Sequence, residues 1–207
     1  MEVSAFVIWT LLIQVVDVQP VGQRGTEVGF ASLNVWLHEI TGVHMLLYTS
    51  TDWLGLVPIA VCMGFGGLGL MQWVKRRRVL KVDCDILFLG IYYVVVILCY
   101  LGFETVPINY RPVLIDGRLE ASYPSSTTLL VLSVMPTLVY QTRRRVRNIL
   151  VTRVVYILSE MFSAFLVLGR LLSGVHWFTD IVGSVILSAG LFCIYQAVVL
   201  RCEKREI

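Results

Sequence analysis

Charge is what this chain has little of. Only 15% of its 207 residues are Asp, Glu, Lys or Arg, while 57% are hydrophobic; an ordinary globular domain carries about 25% charge. Histidine is scarcer, with His38, His44 and His176 alone. The five cysteines, Cys62, Cys84, Cys99, Cys193 and Cys202, form no CxxC pair and fall in apolar runs or at their basic edges. That pattern indicates neither a zinc site nor a disulfide. No basic residue precedes the first apolar run, and no convincing small-residue cleavage site follows it, so it reads as a retained span and not as a signal peptide. The repeated halves and paired broken helices of a transporter are missing too.

What the chain has is apolar runs. Residues 3–18, 53–74, 86–103, 124–140, 149–168 and 177–200 approach the ~20 residues a helix needs to cross a bilayer. The expected fold is an all-α polytopic membrane bundle, one domain over residues 1–207, with six transmembrane helices. The glycines of the run 64–69 match a dinucleotide-loop spacing but lie inside a span, where close helix packing accounts for them better. Thirteen of the 17 basic residues fall on one side, in 75–81, 143–153 and the tail with Arg201, Lys204 and Arg205; Arg24, Arg111, Arg118 and Arg170 fall on the other. Basic residues accumulate in cytoplasmic loops. Both termini are therefore expected in the cytoplasm, with Arg111 and Arg170 facing outward, and the basic runs touch anionic headgroups and not nucleic acid. Minimal loops and no further targeting signal suit a bacterial cytoplasmic membrane.

Three segments meet the outward face. Residues 29–41 place Phe30, Leu33, Leu37 and Ile40 at helical spacing, as an interfacial helix would. Residues 105–123 hold Arg111-Pro112 and lead into Pro124-Ser125-Ser126. The third contains Arg170, His176 and Asp180. Ionisable groups beside membrane spans are costly unless they are paired or line a wet cavity, so this cluster marks a site. Four residues, about one helical turn, separate His176 from Asp180, which lets the carboxylate approach one ring nitrogen and leave the other free. Two guanidiniums, hydroxyls and the amides opening the fourth span describe an oxyanion site for a phosphate ester. Glu160, mid-span, reads equally as partner of a buried polar group or as a neutral acid bonded between helices. Trp177, Tyr123 and Tyr110 read as interface anchors beside the pocket.

These residues resemble the signatures of the type 2 phosphatidic acid phosphatase superfamily, six-span lipid phosphatases that share a fold with vanadium haloperoxidases. Its motifs are Lys, six residues, Arg-Pro; Pro-Ser-Gly-His; and Ser-Arg, five residues, His, three residues, Asp. Arg111-Pro112, Pro124-Ser125 and Arg170, His176, Asp180 fall in register. The resemblance implies that His176 attacks phosphorus to give a phosphohistidine and that Asp180 orients it. It also implies that Arg111, Ser125, Ser126 and Arg170 hold the oxygens, with no metal or other cofactor. The substrate implied is a membrane lipid phosphate or a polyprenyl diphosphate.

The departures are as informative. Glu104 stands where the family has Lys, Thr127 where it has the His that protonates the leaving group, and Gly169 where it has Ser. Glu for Lys weakens phosphate binding unless Glu104 is protonated or paired with Arg111 or Arg170. Loss of the acid is worth ~10²- to 10⁴-fold. A diphosphate, whose leaving group needs no proton, would suit such a site; Glu104, His38 or His44 are the other proton sources. A weakened family member that binds a lipid phosphate or a partner protein is the alternative.

Overall fold

A computed structural model describes residues 2–206, with the side chains of residues 2, 80, 203, 205 and 206 excepted, so Arg205 of the basic tail lies outside the described side chains. Among the described residues there are eight α-helices: α1 (Glu2–Val15), α2 (Ala31–Thr41), α3 (Met45–Leu54), α4 (Leu56–Arg76), α5 (Cys84–Thr105), α6 (Ser126–Arg145), α7 (Ile149–Leu172) and α8 (Phe178–Glu206). Local chemistry sets several ends. Asn148 caps α7 by accepting from the backbone N–H of Leu150 and Val151 at 2.9 and 3.2 Å. Lys75 and Arg76 occupy the last turn of α4, where the helix dipole favours cations.

Four stretches are long and apolar enough to cross a membrane: Met45–Arg76, Cys84–Thr105, Ile149–Leu172 and Phe178–Cys202. The first begins earlier than the expected residue 53, because Gly55 keeps a helical backbone and joins α3 to α4. Of the six expected spans, two differ in kind. The 14 residues of α1 reach about 21 Å, less than the ~30 Å hydrocarbon core. The 20 residues of α6 are long enough but carry Thr127, Thr128, Ser133, Thr137 and Gln141 on a buried face. That polarity is tolerable because α6 packs against α4, α5, α7 and α8, so these groups meet helices and not lipid.

In α2 it is Asn34 that turns inward. Its side chain donates to Thr179 Oγ1 at 3.0 Å and accepts from Thr179 N at 3.3 Å, while Leu33, Trp36 and Ile40 are exposed. Phe30, from the expected stripe, instead stacks on Trp9 of α1, ring centres 5.3 Å apart.

Several expectations are corrected. Cys84 and Cys202 form a disulfide across 118 residues, because the start of α5 lies beside the end of α8. Glu160 is exposed on α7, neither a partner of a buried group nor bonded between helices; the buried face runs through Ser159, Ser163, Leu166 and Arg170, and Glu160 is turned about 100° from it. Gly64, Gly66 and Gly67 face open space, and of that run only Gly69 closes on a neighbour, its Cβ position 3.1 Å from Ile86. Trp177 and Tyr123 are buried and not interface anchors.

Candidate active site

The link between α7 and α8 is five residues long and very tightly packed. Gly174 sits at φ +67°, and a Cβ there would lie 1.9 Å from the carbonyl oxygen of Gly42, so both the backbone conformation and the space demand glycine. This link sets His176 just before α8 and Asp180 in its first turn. The Asp180 carboxylate, 0% exposed, reaches back to accept from the backbone N–H of Trp177 at 2.9 Å, a capping interaction that also places negative charge at the helix N-terminus.

The loop between α5 and α6 supplies the rest of the cradle. Ser122 Oγ donates to Asp180 Oδ2 at 2.5 Å, and Asn109 Nδ2 reaches Asp180 Oδ1 at 3.4 Å. His176 Nδ1 lies 3.1 Å from Ser122 Oγ, 3.2 Å from the Ser122 carbonyl and 3.8 Å from Asp180 Oδ2. The sequence predicts a direct carboxylate contact; the structure places Ser122 between the two. With Nδ1 donating toward these acceptors, Nε2 is left without a partner although His176 is only 4% exposed. Burial pushes the imidazole from its ordinary 6.5 down to about 4, and the nearby Arg111 and Arg170 charges add to that while Asp180 opposes it. The ring is therefore neutral near pH 7, with a lone pair on Nε2.

Both arginines are paired yet incompletely satisfied. Arg170, 1% exposed, donates through Nη2 to Asp52 Oδ1 at 2.5 Å and to the Thr127 hydroxyl; Arg111 Nε lies 3.2 Å from Glu120 Oε2 but too poorly aligned to bond. Their guanidiniums stand 4.8 and 5.6 Å from the ring centre of Tyr48. Nε and Nη1 of both arginines have no hydrogen-bond partner. An unmet buried donor costs about 1–3 kcal/mol, more when charged, so several on two cations favour binding of an anion.

A cavity of about 270 Å³ is lined by Glu104, Arg111, Glu120, Ser122, Ser126 and His176, among others. A larger apolar cavity of about 570 Å³ runs from Asp52 and Thr127 between α4, α5 and α6, and Tyr100 and Ser126 belong to both. The sequence-predicted residues are thus largely brought together. Arg170 reaches this region through Asp52 and Thr127, and Asp180 stands behind His176. Ser125 is turned away: it is fully buried and its hydroxyl donates to Thr128 Oγ1 at 3.1 Å.

The altered positions also find physical settings. Thr127 is a partner of Arg170. A Cβ on Gly169 would lie 2.6 Å from the Thr51 methyl of α3, which leaves little space for the family's Ser. Glu104 lines the cavity but forms an ion pair with neither arginine, so of the two conditions that would offset the change from Lys, pairing is not met; Glu120 and Asp52 fill those places. His38 packs on Trp177 at 5.6 Å, its pKa lowered by burial, and His44 Nε2 bonds the Thr41 carbonyl at 2.9 Å, so neither lines the cavity. Ser122, Asn109, Asp52, Glu120 and Tyr48 are not signalled by any spacing within the motifs. No group of three or more His, Cys, Asp or Glu suited to a metal gathers among the described residues.

The PAP2 superfamily model matches residues 88–204. No curated protein sequence matches the chain. Among solved structures, the fold is similar to the crystal structure of a transmembrane PAP2-type phosphatidylglycerolphosphate phosphatase from Bacillus subtilis, at a TM-score of 0.64 and 18% identity, covering 95% of this chain and 94% of that one. With the match spanning more than half of the sequence, this multi-pass, all-helical chain belongs to the PAP2 superfamily.

Proposed function

We propose that this chain is a lipid phosphatase that works through a phosphohistidine at His176 and needs no metal ion. The observation that carries the reading is the state of that ring: Nδ1 is held by Ser122 and backed by Asp180, while Nε2 is bare and neutral beside guanidinium atoms that lack partners. Nε2 attacks phosphorus, the P–O bond to the lipid breaks, and water then cleaves the N–P bond to release phosphate. Arg111 and Arg170 meet the charge on the equatorial oxygens, with Ser126 and the amides opening α6 as further donors. Asp180, through Ser122, stabilises the charge that develops on the imidazole. Ser125 acts by shaping the turn, its hydroxyl being taken by Thr128.

The domain extends over residues 1–207 and lies in a cell membrane. The basic runs 75–78 and 143–147 share the end of the bundle at which α4 and α6 finish, which supports a cytoplasmic position for that end and an outward-facing site. The Cys84–Cys202 disulfide at the same end is what an oxidising compartment favours. Thirteen basic residues outweigh one disulfide in setting the orientation. On this reading, the carboxylates Glu104 and Glu120 in the cavity disfavour a polyprenyl diphosphate, the more negative substrate, relative to a monoester.

The competing reading, a binding protein without turnover, draws on Glu104 and Thr127. Phosphate release from lipid phosphates by purified protein and by His176→Ala separates the two. Release that disappears in the variant supports the phosphatase; equal background from both proteins sinks it.

A further inference from the structure

Two of the departures from the family pattern bear on the chemistry: Glu104 puts a carboxylate in the 270 Å³ cavity where the family has an ammonium, and Thr127, in the adjoining apolar cavity, stands where the family has the proton donor for the leaving group. Glu104, next to last in α5, lies one turn after Tyr100 on the same helical face, and both line the 270 Å³ cavity with Phe103, Tyr123 and Glu120. Glu120 lies beside Arg111, while Glu104 has no ion-pair partner among the described residues. The buried His176, whose Nε2 is unpartnered, lines the same cavity. A carboxylate with aromatic walls, set beside an anion site, is the chemistry that holds an ammonium.

From this we infer that the substrate is a long-chain phosphate monoester that carries its own ammonium group, on the carbon next to the one bearing the phosphate, and that Glu104 holds that ammonium. The inference rests on the phosphatase reading and names the substrate class of the same site. It accounts for both departures together. With Lys replaced by Glu104, the positive charge comes from the substrate. With the family's acid replaced by Thr127, the ammonium supplies the proton: as Nε2 bonds to phosphorus and the P–O bond breaks, an N–H proton passes to the departing oxygen. The products are a neutral amino alcohol, which regains a proton from water, and the phosphohistidine. A divalent cation is the competing source of charge, but it takes about six oxygen ligands, and here one carboxylate is free and the other is committed to Arg111. The apolar cavity shared at Tyr100 and Ser126 receives the chain.

The test uses two ligands, a long-chain 2-ammonio alkyl phosphate and its N-acetylated twin, which differ by that charge. Binding is measured to detergent-purified His176→Ala, which cannot turn over, and kcat/KM is measured on the unaltered protein. The expected result is that the ammonium ligand binds His176→Ala about tenfold more tightly, and that kcat/KM favours it by about 10²-fold because the proton donor is lost as well. Adding Glu104→Gln should bring the binding ratio close to one, and Glu104→Lys should reverse it. Equal binding of the twins, a preference untouched by Glu104→Gln, or a preference that magnesium erases by promoting the N-acetylated twin would each overturn the inference. If neither ligand releases phosphate, the phosphatase reading fails, while the binding ratio in His176→Ala still judges ammonium recognition.

Discussion

Where α5 begins and α8 ends, the Asp85 carboxylate takes Nη1 and Nη2 of Arg145 at 2.7 and 3.0 Å and Nε of Arg144 at 3.3 Å, and Asp83 takes Arg76 at 2.7 Å and Gln72 at 2.7 Å. Tyr195 and Gln141 bond one another at 2.6 Å, and a disulfide ties the helices. At the other end Arg111, Arg170 and His176 are buried as Asp85 is, yet five of their nitrogens have no hydrogen-bond partner. The first end resembles a finished structure in which charge is spent on charge. The second holds donors ready for a group that the protein does not itself supply. Burial of charge alone therefore does not mark the site; burial with unmet donors does.

That contrast makes mutational effects separable. The largest is expected from His176→Ala, which removes the proposed nucleophile and should lower phosphate release by about 10³-fold or more, with little change in thermal stability. Arg170→Ala should cost about 10²- to 10³-fold in kcat/KM, as removal of one preorganised donor does elsewhere. It should also loosen α3, since Asp52 loses its partner, and a falling Tm would report that. Ser122→Ala releases Nδ1 and one Asp180 bond; a loss of about 1–2 kcal/mol, or roughly five- to thirty-fold in kcat, is expected. At the opposite end, Asp85→Asn should lower Tm through loss of a partly exposed ion-pair network worth about 1–3 kcal/mol, with kcat unchanged in the protein that stays folded. A comparable loss of activity from Asp85→Asn at full folding would erase the distinction between the ends.

The smallest effect concerns pH. His176 is pushed from 6.5 down to about 4 by burial. As pH falls through 6.5 the nucleophile stays neutral, so its contribution to the rate should hold until pH approaches 4. The folded state binds this proton less well than the unfolded chain does, so the stability tied to it is intact above pH 6.5 and declines between 6.5 and 4. A rate limb near 6.5 in the unaltered protein would place the ring in a wetter setting than the one described.

Much of the frame was legible in the residues. Apolar runs located α4, α5, α7 and α8, which depend on short-range helical geometry, and the spacing of Arg170, His176 and Asp180 pointed to a cluster that the fold draws together across the short α7–α8 link. The rest depends on packing between distant segments. Asp52 meets Arg170 only because α3 folds against α7, and Ser122 reaches Asp180 only because the α5–α6 loop crosses the start of α8. The Cys84–Cys202 bond likewise needs α5 beside α8. Glu160 is a different case: its helical phase, one residue after buried Ser159, determines its exposure, but the buried face of α7 is known only once its neighbours are.

The most direct measurement is to quench the protein during turnover of a lipid phosphate monoester, hold the sample alkaline to preserve N–P bonds, and look by mass spectrometry for one added phosphoryl group. The account expects that group on the peptide containing His176 and not on the corresponding peptide of His176→Ala. Steady phosphate release with no phosphorylated His176 at any quench time, or equal release from His176→Ala, would contradict it.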